Sequence, residues 1–408
     1  MMGAAVSWYR HPPASRCWRE TSSASGSGPR SPSPMAPSLS GPTSTCGASQ
    51  NPEPRPTKKL RNPMARRIFI YEDTCGGGCE DHLPALLRRE GMAMLRALAE
   101  DFASLKNVEV VTTLDERIDP GNLPLEPLEI GSPAELASTF DVLAAECDLS
   151  LIVAPELGGR LTKLSRRVVH VGGKLHGGDI DLVETASDKL LLYRHLAETG
   201  IPALPCRKVE PGRRSRAAIV QKPRFGAGSL EIATLAPGRP ERDGQAEMIV
   251  TPLLEGRAAS VLCIAGTGVI IPLEPCRQRL SEDGTFRYLG GSVPLDESNL
   301  GERAHALSVA AVGSFPDPRG FIGVDLVLGE TEKDDRVVEI NPRPTTSYCA
   351  LRRRSTVNLA GLSLELLAGR KPPPPSWPAH PESYDSEGNA EEINESPMNP
   401  AATVETVS

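Results

Sequence analysis

Residues 320–348 constrain this chain more than any other stretch. They read Gly320-Phe-Ile-Gly-Val-Asp325-Leu-Val-Leu, then Gly329 to Asp335, then Arg336-Val-Val-Glu339-Ile-Asn341-Pro-Arg343-Pro-Thr-Thr-Ser-Tyr348. Two β-rich runs, Phe321–Leu328 and Arg336–Ile340, flank a polar connection, which is the pattern of an antiparallel hairpin with a long loop. Side chains alternate along a strand, so Glu339 and Asn341 share one face while Val338 and Ile340 share the other. A hairpin centred near residue 332 pairs position 325 with position 339 and sets both carboxylates side by side. Two carboxylates and an Asn carbonyl make a hard, all-oxygen site suited to Mg²⁺ shared with phosphate oxygens. A solvated acidic hairpin is the plain alternative, and the rest of the chain has to decide between the two.

At 408 residues the chain has room for two or three domains with sizeable cores. No run of about 18 apolar residues occurs, so no membrane span is expected. Nine cysteines are scattered without a signal peptide, which favours reduced thiols in a cytoplasmic protein. Cys75 and Cys79 form a close pair but lack a second Cys/His pair at zinc-finger spacing. The net charge of −7 hides opposite ends. Residues 1–63 carry eight Lys/Arg against two acids, whereas 372–408 carry seven acids and no Lys/Arg. The middle is mildly acidic and gives no support for nucleic-acid binding.

The Ser-, Pro-, Gly- and Arg-rich segment 1–63 has no sustained apolar period and is expected to be disordered. It reads as an overlong start ahead of a strand that begins just after Met64. Its removal is expected to leave folding and activity intact, which soluble expression of residues 64–408 checks. Lys371-Pro-Pro-Pro-Pro opens what reads as a linker and a disordered acidic tail over 372–408.

Between these ends, residues 64–185 alternate strands and helices. Arg67–Tyr71, Asn107–Thr112 and Asp148–Val153 are short β-prone runs. Pro84 to about Leu105 and Ser132–Glu146 have helical spacing. Such alternation implies a parallel sheet with helices packed on it. Gly76–Gly78 follows the first strand without the G-x-G-x-x-G spacing of a dinucleotide site. Tight turning at a sheet edge is the better account of these glycines, and of those around His176, which reads as a loop histidine.

Next, Ser187-Asp-Lys189 opens a capped helix that ends at Gly200. Ala217-Ala-Ile-Val-Gln-Lys222 is a strand ending in lysine, followed by a loop containing Gly226, Gly228 and Ser229. A lysine beside a glycine loop suits polyphosphate, because the ammonium is a point charge and bare backbone N–H groups can approach closely. The loop is not a Walker A motif, since neither its Gly-Lys-Ser/Thr ending nor the following helix is present. Met248-Ile-Val-Thr251-Pro-Leu253-Leu-Glu255-Gly256 is an apolar strand that turns at a proline, a hinge whose backbone could read an adenine edge. The strands Ala258–Ile264 and Gly268–Leu273 and a helix from Leu300 to about Val312 lead back to the hairpin.

The order of these segments resembles the ATP-grasp superfamily of carboxylate–amine (or thiol) ligases over roughly residues 65–370. The Cys-Gly-Gly-Gly start and the Glu339-to-Tyr348 run look most like the tyramine–glutamate ligases of methanofuran biosynthesis and their bacterial relatives. The resemblance implies a mixed α/β and α+β chain. A parallel α/β pre-ATP-grasp domain would span 64–185 and an ATP-grasp domain 186–371, the latter split into a nucleotide-clamping part (186–250) and a metal and nucleotide part (251–371). It implies that Lys189 and Lys222 contact ATP phosphates, that Gly226, Gly228 and Ser229 close over them, and that Thr251 and Leu253 lie at the adenine. It further implies Asp325, Glu339 and Asn341 as ligands of Mg²⁺ (or Mn²⁺), with Arg343 steadying a phosphate or a substrate carboxylate. Dimers are usual in the superfamily, so a homodimer is consistent with it.

Two positions depart from that pattern. Ala258 stands where many members carry an acid for the ribose, leaving Glu255 as the candidate. Gly323 stands where some members carry a catalytic Arg, leaving Arg277 and Gln278 as candidates for that charge. The reaction implied is ATP-dependent amide formation between a small carboxylate and an amine through an acylphosphate. An ATP-binding protein without ligase activity and a Rossmann-type oxidoreductase using Gly76–Gly78 are the other readings.

Overall fold

The computed structural model describes residues 65–77, 85–226, 230–244, 246–295 and 298–391. The segment 1–63 therefore lies outside the described residues. The first strand, Arg66–Glu72, is the middle of a parallel sheet with Val108–Val111 on one side and Leu149–Val153 on the other. Ile68 and Ile70 point from one face of this strand into a core with Leu95, Leu98 and Phe102 of the helix Ala85–Ala103. Phe69 and Tyr71 point from the other face towards Phe140 and Leu143 of the helix Pro133–Glu146. Burial on both faces explains why this strand reads as an unbroken apolar run. Ser132 caps the second helix by accepting from the Glu135 amide.

Two antiparallel sheets follow. The smaller has the order Arg207–Lys208, Met248–Pro252, Ile219–Pro223, Ala233–Leu235. The larger has eight strands and contains the hairpin Gly320–Leu328/Arg336–Asn341, with Arg257–Gly266 beside it. One face of the large sheet packs on the helix Ser298–Gly313. Its other face shares a core with the helices Ala85–Ala103, Ser347–Arg354 and Leu359–Leu367. Leu262, Ile264 and Phe321 thus lie in one apolar cluster with Leu98 and Phe102. Helix and large sheet are welded by packing, and Tyr348 adds a 2.6 Å hydrogen bond to the buried Asp101. His176 belongs to this packing too. It lies in a loop, as expected, but is fully buried, stacks on Phe321 with centroids 5.2 Å apart and meets Ser363 Oγ at 2.9 Å, so this loop histidine is part of the core.

The expected tail from 372 onward is corrected in part. Glu382–Tyr384 pairs antiparallel with the strand Tyr288–Val293, and Ala390–Glu391 pairs with Glu382–Tyr384; residues 392–408 lie outside the described ones. Tyr384 is fully buried, and glycines make room for it: a Cβ on Gly290 would lie 2.1 Å from the Tyr384 carbonyl oxygen. Arg353 Nε donates to Glu382 at 3.0 Å and Arg89 Nε to Glu387 at 2.7 Å. The acidity that suggests a solvated tail is instead matched by arginines on the body.

Among the described residues no helix is long and apolar enough to cross a membrane.

Candidate active site

The hairpin register brings the two carboxylates together. Asp325 stands opposite Glu339 and Gly323 opposite Asn341, with an irregularity just beyond, between Asp325 and Leu326. Asn341 Nδ2 donates to Asp325 Oδ2 at 3.0 Å, and Gln278 Nε2 donates to Oδ1 at 2.9 Å. Burial, followed by the charge of Glu339, pushes the Asp325 carboxyl up to about 7. A divalent cation would relieve that repulsion, so the donor set fits one. The described residues hold no group of three His, Cys, Asp or Glu able to bind a metal on its own. Two carboxylates and one amide oxygen leave positions for phosphate oxygens and water, as Mg²⁺ prefers.

Facing this pair are both lysines. Lys189 is the first residue of the helix Lys189–Glu198; its Nζ donates to the Gly226 carbonyl at 2.8 Å and lies 3.4 Å from Glu339 Oε1. Lys222 projects from the buried strand Ile219–Pro223. Burial and then the Lys189 charge hold its ammonium down at about 8. Gly226 is at the site, whereas Gly228 and Ser229 lie outside the described residues.

Lys189, Lys222, Asp325, Glu339 and Asn341 line a single cavity of about 870 Å³. At one end its wall is apolar, with Leu204, Val220, Leu326 and the hinge residues Thr251 to Leu254. Leu253 is on the wall, but its amide already donates to the Ala218 carbonyl at 3.2 Å. Glu255 is exposed and is not part of the wall, so the structure does not bring it to a ribose; Arg257 and Ser260 do reach the cavity.

At the other end the cavity meets the carboxyl ends of the first sheet, through Glu72, Thr74 and Val153 to Pro155, and the helix face Leu87, Glu90, Met94. Arg343 stands between the two ends. Its guanidinium forms a two-pronged pair with Glu156, at 3.0 and 2.9 Å. Arg277 and Gln278 both reach the wall, Gln278 as the partner of Asp325. A side chain at Gly323 would displace Thr345, because a Cβ there would sit 2.6 Å from Thr345 Cγ2. The space beside Gly323 is filled by Thr345, from the segment after Asn341.

Sequence reasoning missed Asp188, Arg224, Glu156, Glu72 and Glu90. Asp188 caps the Lys189 helix by accepting from the Leu190 and Leu191 amides, and it pairs with Arg224 Nε at 2.8 Å. The Ser-Asp-Lys cap spacing was a readable signal; the arginine partner, 36 residues away, was not. Since Asp188 is buried, Asp188→Ala is expected to cost about 3 kcal/mol through loss of the cap and of an ion pair. Denaturant midpoints read this, and Asp188→Asn, which keeps a cap, should recover about 1 kcal/mol of it.

Residues 186–347 match the family model of an ATP-grasp domain, and residues 108–180 match that of a pre ATP-grasp 3 domain. The chain is 23% identical over 288 residues to a tyramine–L-glutamate ligase of Methanocaldococcus fervens, covering 70% of this chain and 89% of the relative. Among solved structures it resembles one from Archaeoglobus fulgidus described as an ATP-grasp superfamily protein, with a TM-score of 0.60, 22% identity and coverage of 79% and 92%. It also resembles an N5-carboxyaminoimidazole synthetase from Staphylococcus aureus complexed with ADP, with a TM-score of 0.56, 14% identity and coverage of 76% and 80%. An L-amino acid ligase from Bacillus licheniformis gives 0.53, 14% and 76% of each chain.

Proposed function

We propose that this chain, which carries an ATP-grasp domain preceded by a pre-ATP-grasp domain, is an ATP-dependent ligase joining a small carboxylate to an amine. The observation that carries the reading is the Asp325–Glu339 pair facing Lys189 and Lys222 across one cavity that also opens onto the first sheet. A nucleotide and an acceptor both fit in such a space. Its apolar end suits an adenine, and the lysines suit the phosphates.

In this reading the substrate carboxylate attacks the γ-phosphate of ATP, and Lys189 and Lys222 offset the charge spread over the transferring oxygens. Held by Asp325, Glu339 and Asn341, Mg²⁺ would supply further charge neutralisation there. Arg343, fixed by Glu156, orients the carboxylate or the phosphate from the side of the first sheet. Gly226, whose carbonyl accepts from Lys189, would lie beside the phosphates, where exclusion of water would protect the acylphosphate. The amine then displaces phosphate and forms the amide.

L-glutamate with tyramine is the first pair to try, because the Methanocaldococcus fervens relative bears that name and is matched over 89% of its length. The test is ADP release from Mg-ATP with pools of amino acids and amines, each pool added alone and together. Release that needs both a carboxylate and an amine is the expected result. Tight ATP binding with no carboxylate-dependent release would instead favour a nucleotide-binding protein without ligase activity.

A further inference from the structure

Five carboxylates line the cavity among the described residues, and four are accounted for by their surroundings. Asp325 accepts from Asn341 and Gln278, and Glu339 lies beside Lys189. Glu72 spends one oxygen on the Thr74 hydroxyl at 2.7 Å and the Cys75 amide at 2.9 Å, which anchors the turn after the first strand. Glu282 sits exposed in a turn beyond the strand Cys276–Leu280. Glu90 is different. It is half-buried on the cavity face of the helix Ala85–Ala103 and has neither a hydrogen bond nor an ion pair within 4 Å to another described residue. The two arginines whose charge it feels are both committed elsewhere, Arg89 to Glu387 and Arg343 to Glu156.

Position adds to this. Glu90, Arg343 and Asp325 line the same cavity, and the Arg343 charge acts on both carboxylates. Leu87 and Met94 lie three residues before and four after Glu90, on the same helical face, and all three line the cavity. An apolar shelf on both sides of one unpaired carboxylate suits the carbon skeleton of an amine whose nitrogen points at the acid. Burial, then Glu387 against the opposing charges of Arg343 and Arg89, leaves the Glu90 carboxyl raised to about 7, a useful basicity near neutral pH. Tyr288 is the other titratable group that feels it, and Glu72 shares its end of the cavity.

We propose that Glu90 is the general base of the amide-forming step, taking the proton from the ammonium of the incoming amine; this rests on the ligase reading above. The ammonium gives one proton to the Glu90 carboxylate, and the freed lone pair forms the C–N bond at the acylphosphate carbonyl. The C–O bond to phosphorus then breaks, phosphate leaves with the second nitrogen proton as hydrogen phosphate, and Glu90 returns its proton to solvent.

The experiment compares parent and Glu90→Gln with L-glutamate and Mg-ATP, using tyramine or hydroxylamine as acceptor. Tyramine is protonated near neutral pH and needs a base, whereas hydroxylamine is already largely neutral. We expect Glu90→Gln to lose about 10²-fold or more in ADP release with tyramine and less than about 3-fold with hydroxylamine. The parent's kcat/KM for tyramine should rise with pH through about 7, and the variant should lack that limb. Glu90→Asp should restore part of the rate. Equal losses with both acceptors, or an unchanged pH limb in Glu90→Gln, overturn the assignment and leave the ligase reading standing. A parent inert towards both acceptors overturns the ligase reading and this assignment with it. Because Glu90 has no partner to lose among the described residues, the isosteric change should leave the thermal midpoint unaltered, which circular dichroism verifies.

Discussion

Glu339→Gln is expected to lower Mg-ATP turnover by about 10³-fold or more, the scale of several kcal/mol of transition-state charge stabilisation. The isosteric amide keeps the volume and the strand, so folding should survive. It removes one of two negative charges that face each other across the hairpin at Asp325 and Glu339. That repulsion is the second cause, after burial, of the raised Asp325 carboxyl, so relieving it should let Asp325 ionise more readily. The thermal midpoint without nucleotide should therefore be unchanged or higher than in the parent, while the stabilisation added by Mg-ATP should vanish. Steady-state ADP release and paired melts with and without Mg-ATP give both readings. Turnover within a few-fold of the parent would refute the metal assignment, and a collapsed melt would reassign Glu339 to structure.

Lys222→Met should cost about 10²-fold in kcat/KM for ATP, the usual loss when one preorganised charge is removed from a developing oxyanion. Lys222 is buried at the end of its strand, and burial disfavours its charged form. The sign of the pH effect follows. In the free protein the ammonium is mostly charged below about 8 and is lost above it, so kcat/KM for ATP in the parent should fall as pH rises through about 8. Bound polyphosphate favours the ammonium, so kcat at saturating ATP should hold to higher pH. The methionine variant should show no such limb in kcat/KM. Its stability should stay within about 1 kcal/mol of the parent, because loss of a desolvated charge offsets the lost attraction to Glu339. A large drop in stability with ATP use intact would make Lys222 a structural lysine.

How much of this could be read without coordinates depended on the range of the interaction. The hairpin pairing of 325 with 339 followed from period-two alternation and loop length alone, and Asp325 does stand opposite Glu339. The Lys189 helix followed from its cap, and the first strand from its apolar run. Glu255 is exposed and absent from the cavity wall, a position that spacing along the hinge could not reveal. The segment after 371 was misread because acidic composition cannot reveal that arginines 353 and 89 and a glycine notch at Gly290 await it. Arg277 and Gln278 were named together on one segment, yet Gln278 is the one that bonds Asp325, a consequence of which face each takes in the register with Arg257–Gly266.

By itself, the sequence determined the local elements, the pairing of Asp325 with Glu339, and the set of lysines and glycines that suit a polyphosphate. Each of these rests on backbone periodicity, capping or loop length, which act over a few residues. Only the tertiary structure decided that the lysines face the carboxylates across one cavity, that Arg343 is pinned by Glu156 from 187 residues away, and that Glu90 is left unpaired among the described residues on the same wall. Those relations depend on a core shared between the helix Ala85–Ala103 and the large sheet, where shape and burial rather than spacing choose the neighbours.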